Sequence, residues 1–264
     1  MAKLVILTHR SPIGYYTINQ LSLFHQVVGV VFEKLSFRAN LNILNRRKRR
    51  LGLNMVMNQL FLLLYSNLFE SGRTRKMTKD IFKQPFEYLN VKTAILETGD
   101  VNSEAMTSFV SKLNPEFVIV SGTSLLSKDT IKAINRRILN IHVGITPEYR
   151  GAHGGFWALY NNEANKVGVT VHLIDTGIDT GPILAQSSVA VNRDDTLKTI
   201  VNRQQKVGVD LVIQSIKELQ EGSMPSFQNR HSPSKLFYSP GLTHYLRLKR
   251  RIRKGEVKVR DHND

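Results

Sequence analysis

Short apolar runs alternate with segments of helical spacing in the first part of the chain, and this alternation limits the fold more than any other feature. Runs typical of buried strands occupy 4–8, 27–33, 93–96, 117–122 and 138–143. Between them, segments such as 102–113 and 125–136 carry apolar residues at helical intervals. Buried strands separated by helices favour parallel pairing through crossover connections. The sequence therefore predicts an α/β fold with a mostly parallel twisted sheet and flanking helices.

The pattern changes after residue 165. Runs 167–175 and 182–191 alternate in polarity and are joined by the glycine-bracketed turn TGIDTG. A long amphipathic helix is then predicted from Asp195–Thr196 to about Gln220. Its inner face would comprise Val201, Val209, Val212, Ile213 and Ile216. We assign 1–221 to one domain and 222–264, which is polar before its basic end, to a C-terminal tail.

Segment 36–90 is long for a connection in this architecture and is predicted to be a helical insertion. Its stretch 51–69 has no charged side chain, but basic residues flank it on both sides. A membrane span is disfavoured because the first two strands would lie across the bilayer from the strands with which they pair. The alternatives left open are a core helix, a dimer helix and a helix on an anionic membrane surface.

The net charge of +16 is concentrated in three basic blocks. They are Arg46–Arg50, the group Arg73, Arg75, Lys76 and Lys79, and the end of the chain from Arg247 to Arg260. An anionic partner is expected to meet these blocks. Nucleic acid is disfavoured because the blocks lack interleaved aromatic residues, apart from Tyr245, on which bases could stack.

The chain contains no cysteine, which excludes disulfides and thiolate metal sites. The reducing cytosol is the expected compartment, with association with the inner face of a membrane as an option. The apolar run in MAKLVILTH is too short for a signal peptide and is predicted to be a strand. His153 and His172 are interpreted as loop and strand residues rather than metal ligands, so no metal is expected.

Polar side chains end the fifth predicted strand on one face. Asn140 and His142 are two residues apart, and alternate strand residues point to the same side. Ligands bind open parallel sheets at the carboxyl ends of the strands. The later turn LIDTGIDTGPI offers Asp175 and Asp179. An amide, an imidazole and a carboxylate together indicate an acyl-transfer site, whereas each alone is more typical of a hydrogen-bonded strand end or a turn.

The motif NIHVGITPEYRG (140–151), followed by GVTVHLIDTGIDTGPIL (168–184), resembles the signature of the folate-dependent formyltransferase family. The resemblance is strong over about 115–191 and loose over 1–114. It implies a Rossmann-like fold and transfer of a formyl group from 10-formyltetrahydrofolate to a primary amine. The family's catalytic Asn, His and Asp fall on Asn140, His142 and Asp179. In this mechanism Asp179 would raise the pKa of His142.

The resemblance also implies a folate pocket, formed largely by backbone groups of 121–127 and 173–179. The expected contacts are Ser121, Gly122, Leu125, Leu126, Ile174, Thr176 and Gly177. Arg150 and Gly151 are interpreted as structural. Val143–Gly144 and Thr146 depart from the family's usual Pro-Ser and Leu, which would reshape the acceptor side.

Three branches of the family fit poorly. The loop THRSPIGYY has one glycine where glycinamide ribonucleotide enzymes have a glycine-rich phosphate loop. The residues after the long helix are too few for the C-terminal domain of methionyl-tRNA enzymes, and the chain starts directly with a strand, unlike the hydrolase branch. An amino sugar on a nucleotide or lipid carrier is the favoured acceptor. The alternatives are the methionyl-tRNA or glycinamide ribonucleotide reactions, or a catalytically degenerate scaffold that binds membrane or nucleic acid.

Overall fold

The computed structural model describes residues 1–35, 37–83, 86–223 and 234–259. The strands are β1 (Lys3–Thr8), β2 (Gln26–Glu33), β3 (Ala94–Thr98), β4 (Phe117–Val120), β5 (Arg137–His142), β6 (Tyr149–Gly151), β7 (Gly168–Leu173), β8 (Ile183–Ser188) and β9 (Lys235–Phe237). The helices are α1 (Pro12–Phe24), α2 (Phe37–Leu51), α3 (Leu53–Tyr65), α4 (Ser71–Phe82), α5 (Glu104–Leu113), α6 (Lys128–Ile134), α7 (Gly154–Tyr160), α8 (Leu197–Gln220) and α9 (Leu242–Arg253). A π-helical turn, Ser66–Glu70, joins α3 to α4.

Seven strands form the central sheet in the order β3-β2-β1-β4-β5-β7-β8. The first five are parallel, β7 pairs antiparallel with β5, and β8 pairs antiparallel with β7. The predicted mostly parallel α/β sheet with flanking helices is confirmed. The carboxyl ends of β1, β4 and β5 meet at one edge, where such sheets bind ligands.

Helix α8 packs across the sheet directly behind β5. Val209, Val212 and Ile216 are completely buried, as the predicted inner face requires, whereas Val201 and Ile213 are half-buried. The helix approaches closest at Gly208, where an added Cβ would lie 2.4 Å from Cγ2 of Ile141. Ile141 stands between Asn140 and His142, so α8 supports the strand end that carries them.

The segment that follows α8 is integrated into the fold. Strand β9 pairs with β6, and Tyr245, Leu248 and Ile252 of α9 are buried in a second hydrophobic cluster. The Tyr245 hydroxyl donates to Oε1 of Glu70 at 2.6 Å, which ties α9 to the helical insertion. The boundary at residue 221 stays a prediction. Positions 224–233 and 260–264 of the predicted tail, including Arg260, lie outside the described residues.

The predicted insertion 36–90 contains α2, α3 and α4, with positions 36, 84 and 85 outside the described residues. Helix α3 contacts α9, and α4 packs against α8. Over the part of the chain that the structure describes, no helix is long and apolar enough to cross a bilayer.

Candidate active site

Asn140 and His142 lie at the carboxyl end of β5, on the same face of the strand. The neighbouring antiparallel strand β7 brings His172 directly opposite Asn140. The Asn140 amide nitrogen lies 3.1 Å from Nε2 of His172. Three polar side chains therefore meet where the parallel part of the sheet changes to antiparallel.

Asp179 completes this cluster from the turn between β7 and β8. Its Oδ1 accepts from the Asn140 amide at 3.4 Å and lies 3.5 Å from Nε2 of His172. Its Oδ2 lies 3.3 Å from Nδ1 of His142 and accepts from the backbone amide of Gly151 at 2.8 Å. The structure thus brings the three predicted catalytic residues together around one carboxylate.

The turn places Asp179 there through its own hydrogen bonds. The Asp175 carboxylate accepts from the amide of Gly177 at 3.0 Å and from the hydroxyl of Thr180 at 2.8 Å. Asp179 has a φ of 51°, a left-handed conformation that aspartate tolerates better than most residues. Gly181 must be a glycine, because a Cβ there would lie 1.8 Å from the carbonyl oxygen of Leu173.

Backbone carbonyls fix the tautomers of both histidines. Nε2 of His142 donates to the carbonyl oxygen of Tyr149 at 2.7 Å, and Nδ1 of His172 donates to that of Leu173 at 2.8 Å. Neutral His142 therefore directs the lone pair of Nδ1 towards Asp179. A proton bound between Nδ1 and Oδ2 would satisfy both atoms, so the pair can accept one proton.

Burial lowers the pKa of His142, and this effect outweighs the charge of Asp179 and the Tyr149 carbonyl, which both raise it. The charge of Asp179 raises the pKa of His142, as expected, but burial prevails and the net pKa is lowered. Burial raises the pKa of Asp179, but the contact with His172, the charge of His142 and the Gly151 amide together outweigh it. The pKa of Asp179 is held below its usual value.

The two segments predicted to bind folate adjoin at the same edge of the sheet. Leu126 and Ile174 are half-buried and pack against one core cluster, and Leu125 beside them is 63% exposed. Gly122 has a φ of 78° and open space around it, while Thr176 and Gly177 are exposed. An apolar wall with accessible backbone suits the flat ring of a folate.

Ser121 is buried and already makes three hydrogen bonds. Its amide donates to the carbonyl of Leu7, its carbonyl accepts from the hydroxyl of Thr8, and its hydroxyl accepts from Gln205 at 2.8 Å. These bonds tie the loop after β4 to β1 and α8, and the expected folate contact of Ser121 stays a prediction.

Sequence reasoning missed His172 and the Gly151 amide. Both contacts depend on pairing between segments far apart in the sequence, and the only local signal for His172 was its place in a strand beside the Asp179 turn.

Arg150 donates to the carbonyl of Ile178 at 3.2 Å, which holds the turn from its outer side. Its structural interpretation stays a prediction. Among the described residues, no group of three His, Cys, Asp or Glu could hold a metal ion.

A cavity of about 830 Å³ opens between the start of α1, α4 and α8. His153, two residues after Gly151, lines it with a buried Nδ1 that has no hydrogen-bond partner among the described residues. Burial, with the charge of Arg47, lowers the pKa of His153 to about 4. The other lining residues include Ser11, Ile13, Thr74, Arg75, Lys198 and Val201.

Known proteins resemble this chain in sequence and in fold. It is 37% identical over 119 residues to the methionyl-tRNA formyltransferase of Thermodesulfovibrio yellowstonii, covering 44% of this chain and 38% of that protein. It is 28% identical over 172 residues to the enzyme of the same name from Pelotomaculum thermopropionicum, covering 65% and 53%. The chain thus spans about half or less of the length of these curated relatives.

Solved structures share the fold at lower identity. Glycinamide ribonucleotide transformylase 1 from Symbiobacterium toebii matches with a TM-score of 0.55 and 18% identity, covering 90% of this chain and 95% of that one. A sugar N-formyltransferase from Shewanella sp. matches with a TM-score of 0.52 and 18% identity, covering 90% and 76%. The profile of the family described as formyl transferase matches residues 61–216, more than half of the sequence. The chain belongs to the formyl transferase family.

Proposed function

We propose that this chain transfers a formyl group from 10-formyltetrahydrofolate to a primary amine, with Asn140, His142 and Asp179 as its catalytic residues. The observation that carries the proposal is that Asn140 and His142 both contact the carboxylate of Asp179. This cluster lies at the ligand-binding edge of the sheet in a member of the formyl transferase family. A buried cluster of this kind can bind an oxyanion and accept a proton in one place.

Each residue has a distinct role in the reaction. When bound, 10-formyltetrahydrofolate would supply the formyl group: the bond between the formyl carbon and the folate nitrogen breaks as the acceptor amine forms the new C–N bond, and the leaving nitrogen takes up a proton. The Asn140 amide would donate to the formyl oxygen as charge develops there. Asn140 can exchange its long 3.4 Å hydrogen bond to Asp179 for this one. Asp179 accepts the proton lost by the amine, and Nδ1 of His142 shares it.

The folate would lie against Leu125, Leu126 and Ile174, with Gly122, Thr176 and Gly177 offering backbone groups. The exposed Leu125 beside two half-buried apolar residues supports this assignment. Ser121 would act indirectly, by fixing the loop that carries Gly122.

The acceptor proposed is an amino sugar carried on a nucleotide or a lipid. The cavity lined by His153 supports it, because Lys198 can meet a phosphate while Ser11 and Thr74 can meet sugar hydroxyls. Ile13 and Val201 offer apolar walls for a ring. The alternatives are methionyl-tRNA, the substrate in the names of the relatives, and glycinamide ribonucleotide.

A transfer assay with radiolabelled 10-formyltetrahydrofolate tests the function. The panel comprises nucleotide-linked and lipid-linked amino sugars, glycinamide ribonucleotide and methionyl-tRNA. We expect the radiolabelled formyl group to appear in an acid-stable product when an amino sugar is the acceptor. Label only in methionyl-tRNA or the ribonucleotide would contradict the acceptor, and no label in any amine would contradict formyl transfer.

A further inference from the structure

Helix α3 presents a continuous apolar face to solvent. Five of its side chains recur at intervals of three and four residues, which places them on one side of the helix. They are Leu53, Met57, Leu60, Phe61 and Leu64, and each is between 38% and 54% exposed. Leu68 and Phe69 of the π-helical turn follow them, at 74% and 73% exposed. We call these seven residues the apolar face.

The opposite side of α3 is fixed to the protein by polar contacts. The amide of Asn58 donates to the hydroxyl of Thr243 at 2.7 Å and accepts from the backbone amide of Thr243 at 3.1 Å. The amide of Gln59 donates to the carbonyl of Ser239 at 2.7 Å. Val56 and Leu62 are also buried. The helix thus directs Asn58 and Gln59 towards the protein and most of its apolar side chains towards solvent.

Cations stand at both ends of the apolar face. Residues 34–69 contain no Asp or Glu. Arg46–Arg50 are all exposed and immediately precede the Gly52 turn into α3. No ion pair in the described structure involves this block, whereas Arg73 and Arg75 beyond the other end pair with Glu70 and Glu87. The surface therefore combines apolar side chains with uncompensated positive charge.

We propose that the apolar face docks on the surface of a bilayer that contains anionic lipid, with Arg46–Arg50 among the headgroups. An interfacial helix buries its apolar side at the boundary of headgroups and acyl chains and keeps basic residues beside it. Each such cation near an anionic surface strengthens binding by about fivefold. The proposal concerns a surface outside the cavity and the catalytic cluster, and it does not depend on the formyl transfer reaction.

Charge favours a bilayer over a second copy of the chain as the occupant. Antiparallel packing of two α3 helices would place Arg46–Arg50 of one copy beside Arg73, Arg75 and Lys76 of the other. Parallel packing would place each block beside its own duplicate. Both arrangements oppose like charges, which disfavours association, whereas an anionic bilayer neutralises both blocks.

Vesicle sedimentation of the full chain tests the proposal. The vesicles contain either phosphatidylcholine alone or phosphatidylcholine with about a third phosphatidylglycerol. We expect pelleting with the anionic vesicles and not with the neutral ones, and weakening as salt rises from 50 to 500 mM. Equal recovery in the supernatant under all conditions, or equal pelleting with both lipids, would overturn the proposal.

Paired variants distinguish binding through the apolar face from nonspecific adsorption by exposed apolar residues elsewhere. The double variant Phe61→Ser/Leu64→Ser changes side chains that are 50% and 54% exposed, and Phe24→Ser/Leu23→Ser changes the same types at 51% and 60% exposure on α1. We expect the first pair to weaken vesicle binding by about tenfold or more and the second to leave it unchanged. The unfolding midpoint of each variant shows that it is folded.

Two further double variants that remove positive charge, and a measurement of the protein's mass in solution, complete the test. Arg49→Gln/Arg50→Gln should weaken binding by roughly thirtyfold, and Lys128→Gln/Lys132→Gln, on the exposed surface of α6, should not. Equal effects of the two pairs would overturn the proposal. A dimer in analytical ultracentrifugation that Phe61→Ser/Leu64→Ser dissociates would overturn it in favour of a second copy.

Discussion

The backbone amide of Gly151, the last residue of β6, donates to Oδ2 of Asp179 in the turn between β7 and β8 at 2.8 Å. The same oxygen faces Nδ1 of His142 at 3.3 Å. The end of β6 therefore holds the carboxylate in place against the imidazole. Because an amide hydrogen bond favours the charged form, it also helps to keep Asp179 ionised.

Gly151→Ala should lower both stability and turnover. A Cβ at this position would lie 2.3 Å from the carbonyl oxygen of Phe237, and the φ of 88° disfavours any side chain. We expect a loss of about 2–4 kcal/mol in the free energy of unfolding, measured with urea. Turnover should fall by tenfold or more because the amide moves away from Asp179.

Gly122→Ala is the matched control for that variant. Its φ of 78° imposes the same left-handed strain, but a Cβ there has open space. Its cost should be limited to about 1 kcal/mol of backbone strain. Equal losses in the two variants would contradict the role assigned to the Phe237 contact.

His172→Ala should change the pH dependence of turnover as well as its rate. The imidazole lies within reach of both Asn140 and Asp179, and its contact with Asp179 helps to lower the pKa of that carboxyl. Without it, the pKa of Asp179 should rise, so the acid limb of the kcat profile should move to higher pH. A lower rate with an unmoved acid limb would mean that His172 has only a structural role.

Acid should destabilise the protein partly through His153. Its pKa is lowered to about 4 in the fold, whereas an unfolded histidine titrates near 6.5. Between these values the unfolded chain binds more protons, so the free energy of unfolding falls as the pH falls. The contribution lost between pH 7 and pH 5 is on the order of 1–2 kcal/mol.

His153→Asn isolates this effect, because asparagine tolerates the φ of 57° and does not titrate. The variant should lose less stability than the wild type between pH 7 and pH 5 in urea unfolding. A remaining dependence is expected, since the pKa values of His142, His25 and His244 are also lowered. An unchanged difference between the two pH values would contradict the burial of neutral His153.

The sheet and the grouping of Asn140, His142 and Asp179 could be predicted from local sequence, but several contacts could not. Strand alternation places Asn140 and His142 on one face, and the motif supplies the spacing to Asp179. His172 joins them only through the antiparallel register of β7 against β5, which no local pattern encodes. The depth of burial that lowers the pKa of His142 likewise depends on the folded neighbourhood.

The helical insertion shows the same limit. The uncharged run 51–69 predicts a helix, but its outward face is set by hydrogen bonds from Asn58 and Gln59 to residues 239–243. Segment 235–253 was predicted to be part of a surface tail, yet α9 is packed because Tyr245 bonds to Glu70 of the insertion. The sequence of neither segment alone therefore shows which of its residues are buried, because the insertion and segment 235–253 contact each other only in the folded protein.

The most direct measurement compares formyl transfer by the wild type, Asp179→Asn and Asp175→Asn under saturating 10-formyltetrahydrofolate and acceptor. Both variants replace a carboxylate in one turn, but only Asp179 contacts Asn140 and His142. Asp179→Asn removes the proton acceptor, so its kcat should fall by at least about a hundredfold. Asp175→Asn should retain most of the rate, because the amide oxygen can still accept from Gly177 and Thr180. Near-wild-type turnover by Asp179→Asn, with an unchanged unfolding midpoint, would contradict the assignment of this cluster as the catalytic site.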